Sequence, residues 1–512
     1  MPDTIDRLVR SQAAGHGGKP MVIDPSGRLS YRELDTATMD LAAVFVDVGV
    51  GKGTRVGLVM PNGTRWVQIA IALTRIGAVL VPLSTLLRPA ELIAQLRVAA
   101  VQVLVSVEEF RGHRYLDDLR QAELPALTAV WPVGRLANSV AAEQARRIVD
   151  AMTETVHEDD PLTIIFTSGS SGTPKGVVHS HASALGAVRS SLTARCITAD
   201  TRLYLPMPFF WVGGFGSGIL SALLAGATLV TEEIPRPETT LRLLEAERVT
   251  LFRGWPDQAE ALARHPHRAS VDLSALRPGS LEALLPPEQR AQPGARAVLF
   301  GMTEAFGPYC GYAADTDMPP AAWGSCGKPL PGMEIRIVDT DTGVPVPAGT
   351  VGMIQIRGPH TLRGMCRHSR EDLFTSDGFY PTGDLGRLTD EGFLFYHGRC
   401  DDMFKVSGAT VYPDEVERAL RTIDGVDNAF VTDVPGASGQ RVAAAVICRT
   451  RNADQLHGAA SGLLSSFKVP TVWLLLDSDR EIPRLGSGKV DMRRLREMLI
   501  EANRPHGTRV QG

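Results

Sequence analysis

Cysteine is scarce and scattered: six residues, at positions 196, 310, 326, 366, 400 and 448, with no C-x-x-C pair. That spacing points to a reducing compartment rather than a disulfide framework or a zinc site. A basic excess is missing as well. The 53 Lys and Arg residues face 57 Asp and Glu, a net charge of −4, which argues against a general nucleic-acid binder for want of a basic excess to neutralise phosphates. No apolar run is long enough to cross a bilayer. The longest, residues 69–83, is interrupted by Arg75, Gly77 and Pro82, which excludes an integral membrane segment. The first ten residues carry Asp3, Asp6, Arg7 and Arg10, so the expectation is no signal peptide and a cytoplasmic location. Internal repeats and low-complexity tails are also lacking.

What is present is an ordinary globular composition, 44% hydrophobic and 21% charged over 512 residues. That length exceeds one hydrophobic core and implies about two to four domains. Residues 21–110 alternate short apolar runs with helical patterns. Ser30 is placed to cap a helix, with Glu33 three residues on completing a capping box. Residues 55–60 read as a buried strand, 66–76 as a helix, and 78–81 as the next strand. Strands alternating with helices predict an α/β fold with a parallel, doubly wound sheet.

The rest of the chain is organised around Thr167-Ser168-Gly169-Ser170-Ser171-Gly172-Thr173-Pro174-Lys175-Gly176, entered by one apolar β-prone run and left by another. Glycines let backbone N–H groups converge on an oxyanion, hydroxyls add donors, and the lysine adds charge. The loop therefore reads as a polyphosphate cradle. It is not the phosphate loop of kinases and GTPases: counted from Gly169, the second required glycine falls on Pro174, which has no N–H, and Gly176 replaces the magnesium-binding hydroxyl.

This loop resembles the signature of the adenylate-forming superfamily: acyl- and aryl-CoA synthetases, luciferases and peptide-synthetase adenylation domains. The resemblance extends from about residue 20 to 500 through further motifs in family order. It implies that Thr167, Ser168, Gly169, Ser170, Ser171, Gly172, Thr173 and Lys175 bind ATP. In Phe300-Gly301-Met302-Thr303-Glu304, expected after a strand at 297–300, Phe300 would stack on adenine with Gly301 and Met302 beside it. Thr303 would bond the α-phosphate, and Glu304 would hold magnesium. Gly279 and Ser280 are the nearest match to the family's adenine-stacking turn, before a helix rich in prolines (286, 287, 293). Asp384 would accept the ribose hydroxyls, with Arg399 on the ribose or α-phosphate. Asp401 would be the hinge between an N-terminal domain, 1–399, and a small mobile α+β domain, 400–512. Residues 324–364 read as a small β unit on period-2 alternation and Gly/Pro punctuation.

Trp211 departs from the family, where a histidine, or in peptide synthetases an aspartate, stands. No acid is available there to pair an ammonium, which argues against α-amino acid substrates. Trp211, Gly213, Gly214 and Phe306 are read as the acyl pocket, the two glycines as open space beside the indole. Lys405, Ser407 and Gly408 would border the CoA tunnel, and Lys489, on the Gly486-Ser487-Gly488 loop, would enter the site for adenylation. The implied enzyme is an acid–thiol ligase that makes acyl-AMP from ATP and a fatty, medium-chain or aryl acid, then transfers the acyl group to CoA, with Mg2+ as cofactor. A ligase that loads a carrier protein, a luciferase-like oxygenase or a non-catalytic nucleotide-binding module are the rival readings. A homodimer is left open.

Overall fold

The computed structural model describes residues 3–119, 122–137, 143–167, 174–400, 404–406, 409–436, 439–464, 466–485 and 489–503. The chain divides into two compact units. The first comprises residues 1–335, 356–380 and 390–394, the second residues 336–355, 381–389 and 395–512.

The larger sheet of the first unit has seven strands. Pro161–Thr167, Val79–Leu83, Arg55–Val59, Val103–Ser106 and Ala129–Pro132 lie parallel in that spatial order, and Lys175–Ser180 and Gly364–Met365 extend the Pro161 edge antiparallel. Alternation along a strand sends successive side chains to opposite faces. Val79, Val81 and Leu83 accordingly join the cluster around Leu92 and Leu96 of helix Pro89–Val98, whereas Leu80 joins the main core on the other face. A second sheet carries Leu251–Phe252, Arg202–Tyr204, Thr228–Val230 and Pro20–Asp24 in parallel, with Gly27–Ser30 antiparallel at its edge.

Helix Thr64–Arg75 touches strands of both sheets. Trp66, Val67 and the run from Ile69 to Leu73 are wholly buried, as expected for a helix with a broad apolar face, while Thr64, Arg65 and Gln68 stay half-buried. Arg75, which interrupts the apolar run in the sequence, is itself buried. Its guanidinium bonds Asp6 at 2.6 Å, Asp35 at 2.9 Å and the Thr38 hydroxyl at 2.7 Å. A buried charge left without its partner costs about 3–5 kcal/mol, so this cluster ties the N-terminal helix Ile5–His16 to the core. The Ser30–Glu33 capping box forms as expected and starts helix Tyr31–Asp47.

One expectation fails. Residues 297–299 are not a strand; pairing begins only at Phe300, in the antiparallel sheet Phe300–Met302, Gly307–Gly311, Lys328–Pro329. The proline-rich helix expected before it is absent too, replaced by 3₁₀ turns at Glu282–Leu284 and Pro287–Gln289. Prolines at 286, 287 and 293 remove backbone donors and clash with a preceding turn. Without the helix above it, Val298 is left 71% exposed.

The second unit holds most of a four-stranded sheet of Glu334–Val338, Gly352–Arg357, Tyr380–Leu388 and Leu394–Arg399, with Gly343 in a left-handed turn (φ 69°) between the first two strands. Beyond it comes an α+β fold. Val426–Gly436, Gly439–Cys448 and Val472–Leu476 form its sheet, with the first pair antiparallel and the second parallel. Ala444 and Val446 face helix Pro413–Arg421, and Ala443, Ala445 and Ile447 face helix Met492–Ala502.

Candidate functional site

The signature loop springs from an antiparallel hairpin. Thr167 ends one strand and pairs with Lys175, the first residue of the next. Ser168, Gly169, Ser170, Ser171, Gly172 and Thr173 lie outside the described residues. Gly176 explains one constraint at the base of the loop: a Cβ there would meet Cys366 Sγ and Ile164 Cγ2, each at 3.0 Å.

Against the strand that ends at Thr167 lies the 3₁₀ turn Thr303–Ala305. Two glycines set its geometry. A Cβ on Gly301 would stand 2.1 Å from the Gly307 carbonyl oxygen, so the two strands approach backbone to backbone. Phe306, at φ 52°, and Gly307, at φ 127°, then reverse the chain. The Glu304 carboxylate ends up buried, 8% exposed, with the Tyr380 hydroxyl 3.5 Å from Oε1, while its carbonyl accepts from Leu362 N–H at 2.7 Å. Phe300 packs edge-on to Tyr309, ring centroids 5.5 Å apart.

Below Thr303 sits a residue that the motif reading missed. His179 is fully buried; its Nε2 donates to the Thr303 carbonyl at 2.7 Å, and its Nδ1 lies 3.3 Å from the Ser183 hydroxyl. Burial lowers its pKa to about 4, so it stands neutral at physiological pH and serves as a prop rather than a proton carrier. The signal was there to read: a histidine on the strand leaving the loop, in Val177-Val178-His179-Ser180. Tyr380, quoted only as part of the Asp384 motif, likewise gains a place beside Glu304.

The expected adenine turn is anchored to the five-stranded sheet. Gly279 is left-handed at φ 93°, and the buried Ser280 hydroxyl accepts from Phe252 N–H at 3.1 Å.

At Trp211 the structure corrects the sequence reading. Trp211 immediately precedes the turn Val212–Gly214, and its half-buried indole meets Phe210 and Trp255 edge-to-face, at 5.4 and 6.3 Å. The glycines beside it are not open space. A Cβ on Gly214 would fall 2.1 Å from the Pro208 carbonyl oxygen, and one on Gly213 would fall 2.7 Å from Met207 Sδ. They are small because chain packs against them. Phe306 is 1% exposed and contacts His179 and Phe215 rather than Trp211. The π-helix Phe215–Leu220 follows, held by Arg195, whose buried guanidinium bonds the Ser221 hydroxyl at 2.6 Å. Burial, and then the neighbouring Arg253, lowers the Arg195 pKa to about 9. No motif pointed to this arginine.

In the second unit, Arg399 Nη1 donates to Asp384 Oδ1 at 3.1 Å and to the Thr382 carbonyl at 3.0 Å, and Asp384 is 7% exposed. Gly383, at φ 73°, lets the guanidinium in: a Cβ there would sit 2.9 Å from Arg399 Nη2. Lys489 is exposed at the foot of a loop closed by the Arg484–Val490 bridge, and its carbonyl accepts from Leu485 N–H. Lys405 belongs to the hairpin Phe404–Val406/Ala409–Val411. Asp401, Ser407 and Gly408 lie outside the described residues. Among the described residues no three His, Cys, Asp or Glu side chains gather as a metal cage. The Glu304 carboxylate is the residue that could hold a magnesium ion, with phosphate oxygens of a nucleotide as further ligands of the kind that ion takes.

Comparison with known proteins finds relatives over nearly the whole chain. A profile of the AMP-binding enzyme family matches residues 9–365. A methyl-dioxo-octahydroindenyl-propanoyl:CoA ligase of Mycobacterium tuberculosis is 32% identical over 97% of this chain and 98% of its own length. An indoleacetate–CoA ligase of Aromatoleum aromaticum is 29% identical over 94% of this chain and 95% of its own. Among solved structures, ATP-bound MatB of Rhodopseudomonas palustris superposes with a TM-score of 0.81 at 24% identity, covering 98% of this chain and 100% of that one.

Proposed function

The chain belongs to the AMP-binding enzyme family, and on that premise we propose that it is an ATP-dependent carboxylate–CoA ligase that works through an acyl-adenylate. The observation that carries the reading is the Thr303–Ala305 turn, which sets a buried glutamate against the strand entering the phosphate loop. The two CoA ligases named above are named for acids with cyclic groups, and the substrate proposed for this chain is a cyclic, aryl or medium-length acid.

In the first half-reaction a carboxylate oxygen attacks the α-phosphorus in line. The new acyl–O–P bond forms as the bond to pyrophosphate breaks. The chain's contribution is positioning and charge: the 167–175 loop around the leaving phosphates, Thr303 on the α-phosphate, and Lys489 on the charge that develops. Magnesium, held by Glu304, would neutralise phosphate charge when bound. Asp384, pinned by Arg399, would accept the ribose hydroxyls. In the second half-reaction the CoA thiol, losing its proton, attacks the acyl carbon and expels AMP. Lys405, Ser407 and Gly408 would border the thiol's path, and Asp401 would be the hinge on which residues 400–512 turn between the two steps. A cytoplasmic location fits the reading, and among the described residues no helix is long and apolar enough to cross a membrane. A homodimer is compatible with it.

The test is Lys489→Ala, assayed in two halves. Pyrophosphate release with ATP and acid should fall about 10²–10³-fold, the loss of one charged contact made in the transition state. Thioester formation from supplied acyl-adenylate and CoA should barely change. Equal loss in both halves would remove Lys489 from the role assigned here.

A further inference from the structure

Away from every residue assigned to nucleotide, acid or CoA, a groove of about 520 Å³ opens between the C-terminal end of helix Pro89–Val98 and the edge strand Gly364–Met365. Five arginines line it: Arg55, Arg97, Arg363, Arg367 and Arg370. Among the described residues no carboxylate does.

Four of these arginines are exposed and Arg55 is half-buried, and their partners differ. Arg363 is neutralised, 3.3 Å from Asp159, and Arg370 lies over the Phe374 ring at 4.4 Å. The other three are held by backbone carbonyls. Arg55 donates to Ala99 O at 2.8 Å, Arg97 to Glu123 O at 2.9 Å, and Arg367 to Arg97 O at 3.1 Å. A carbonyl fixes a guanidinium without cancelling its charge, and each fork keeps further N–H groups to donate. Three guanidinium groups with carbonyl rather than carboxylate partners among the described residues therefore line one groove. Ala100 (φ 47°) is the left-handed residue that ends helix Pro89–Val98, and Arg367 (φ 66°), on the opposite wall, also holds left-handed backbone.

We propose that this groove is a second anion site, which binds a small free phosphorylated molecule with two or more negative charges. Guanidinium forks match phosphate oxygens in pairs, and the volume holds a pyrophosphate or the diphosphate end of a nucleotide. The wall is joined to the phosphate loop: Cys366, which lines the groove, donates its N–H to Gly176 O at 2.8 Å at the foot of the strand leaving that loop. The groove site does not rest on the ligase reading: its loss is read from binding and chemical protection, and unchanged adenylation in the variant serves only to show that the nucleotide cleft is intact.

The probe is inorganic pyrophosphate, titrated calorimetrically into the wild-type chain and into an Arg97→Gln/Arg367→Gln variant. The wild type should show two classes of site, one in the nucleotide cleft and one in the groove. The variant should keep the first and lose at least tenfold in affinity for the second, with adenylation unchanged. In parallel, alkylation of the half-buried Cys366, followed by peptide mass spectrometry, should slow with pyrophosphate in the wild type and not in the variant. Identical isotherms, or protection that persists in the variant, would overturn the site. Should the variant not fold, the wild type alone decides: protection must rise with pyrophosphate and vanish as salt screens the charges, and protection indifferent to salt counts against the proposal. Phosphatidylglycerol vesicles test the other source of phosphate. Arginine-dependent co-sedimentation without any effect of free pyrophosphate on Cys366 would assign the groove to lipid headgroups and defeat the free-anion proposal.

Discussion

Residues 278–299 and 300–307 adjoin in the chain and are built on opposite principles. In the second segment backbone meets backbone, with the absent Cβ of Gly301 2.1 Å from the Gly307 carbonyl, Glu304 buried beneath Tyr380, and Thr303 propped by His179. In the first segment prolines replace a helix with 3₁₀ turns, and Val298 stands 71% exposed. The same contrast runs through the sequence: the family motif is intact at Gly301-Met302-Thr303-Glu304 and degraded at Pro278-Gly279-Ser280. A turn determined by close contacts tolerates few residue types, whereas a turn anchored mainly by one serine hydroxyl and the backbone tolerates many.

Gly301→Ala attacks the close-packed segment directly. The methyl would press on backbone atoms of Gly307 and Pro308, which cannot swing aside as a side chain can. Overpacking of this kind costs about 1–3 kcal/mol, and here the strain falls on the turn carrying Thr303 and Glu304. Urea unfolding should report the stability loss, and pyrophosphate release should drop about 100-fold or more, since misplacement by an ångström costs that much. Full activity in a stable variant would mean that the tight turn is structural only.

Glu304→Gln keeps the packing and removes the charge. Adenylation should fall about tenfold at limiting magnesium and recover in part as the metal is raised, since an amide still offers an oxygen. A magnesium titration superposable on the wild type would put the cation elsewhere.

The prop beneath Thr303 gives a pH signature. His179 and His181 are buried, and burial lowers the pKa of each from 6.5 to about 4. Below pH 6.5 the unfolded chain takes up protons that the folded chain refuses, so stability should be full above that pH and decline as the pH falls towards 4. Each histidine contributes a slope of up to about 1.4 kcal/mol per pH unit. His179→Gln should flatten the acid side of the profile, leaving the share of His181; denaturant midpoints at pH 7, 6 and 5 measure it. An unchanged slope would mean that His179 titrates alike in both states.

Much of this was legible in the residues because local rules agreed with tertiary packing. The Ser30–Glu33 box, the strands around the phosphate loop and the largely apolar helix Thr64–Arg75 all follow from capping, alternation and composition. Other features were hidden where one residue type serves two ends. Gly213 and Gly214 look like space in a sequence and are close packing in the structure. Arg75 looks like a break in an apolar run and is a buried ion-pair centre. Residues 297–300 look like a strand because they are apolar, but no partner strand reaches the first three. The groove arginines lie at positions 55, 97, 363, 367 and 370, and no local pattern could join them.

The smallest effect belongs to the loose segment. Val298→Ser changes a side chain that is 71% exposed and lies just before the paired strand begins at Phe300. Little apolar area returns to water, and surface substitutions away from caps, cores and strained backbone shift stability by about 0.5 kcal/mol or less. The denaturant midpoint should move within that margin, and pyrophosphate release should stay within about twofold of the wild type. The alternative is that the 297–299 segment packs as a strand in some state the enzyme visits during turnover. Val298 would then be buried in that state, and a hydroxyl in its place would lower the rate while leaving the resting stability untouched. A several-fold loss of rate at unchanged stability would therefore erase the contrast between the two segments, because it would make the loose one a working part of the cycle.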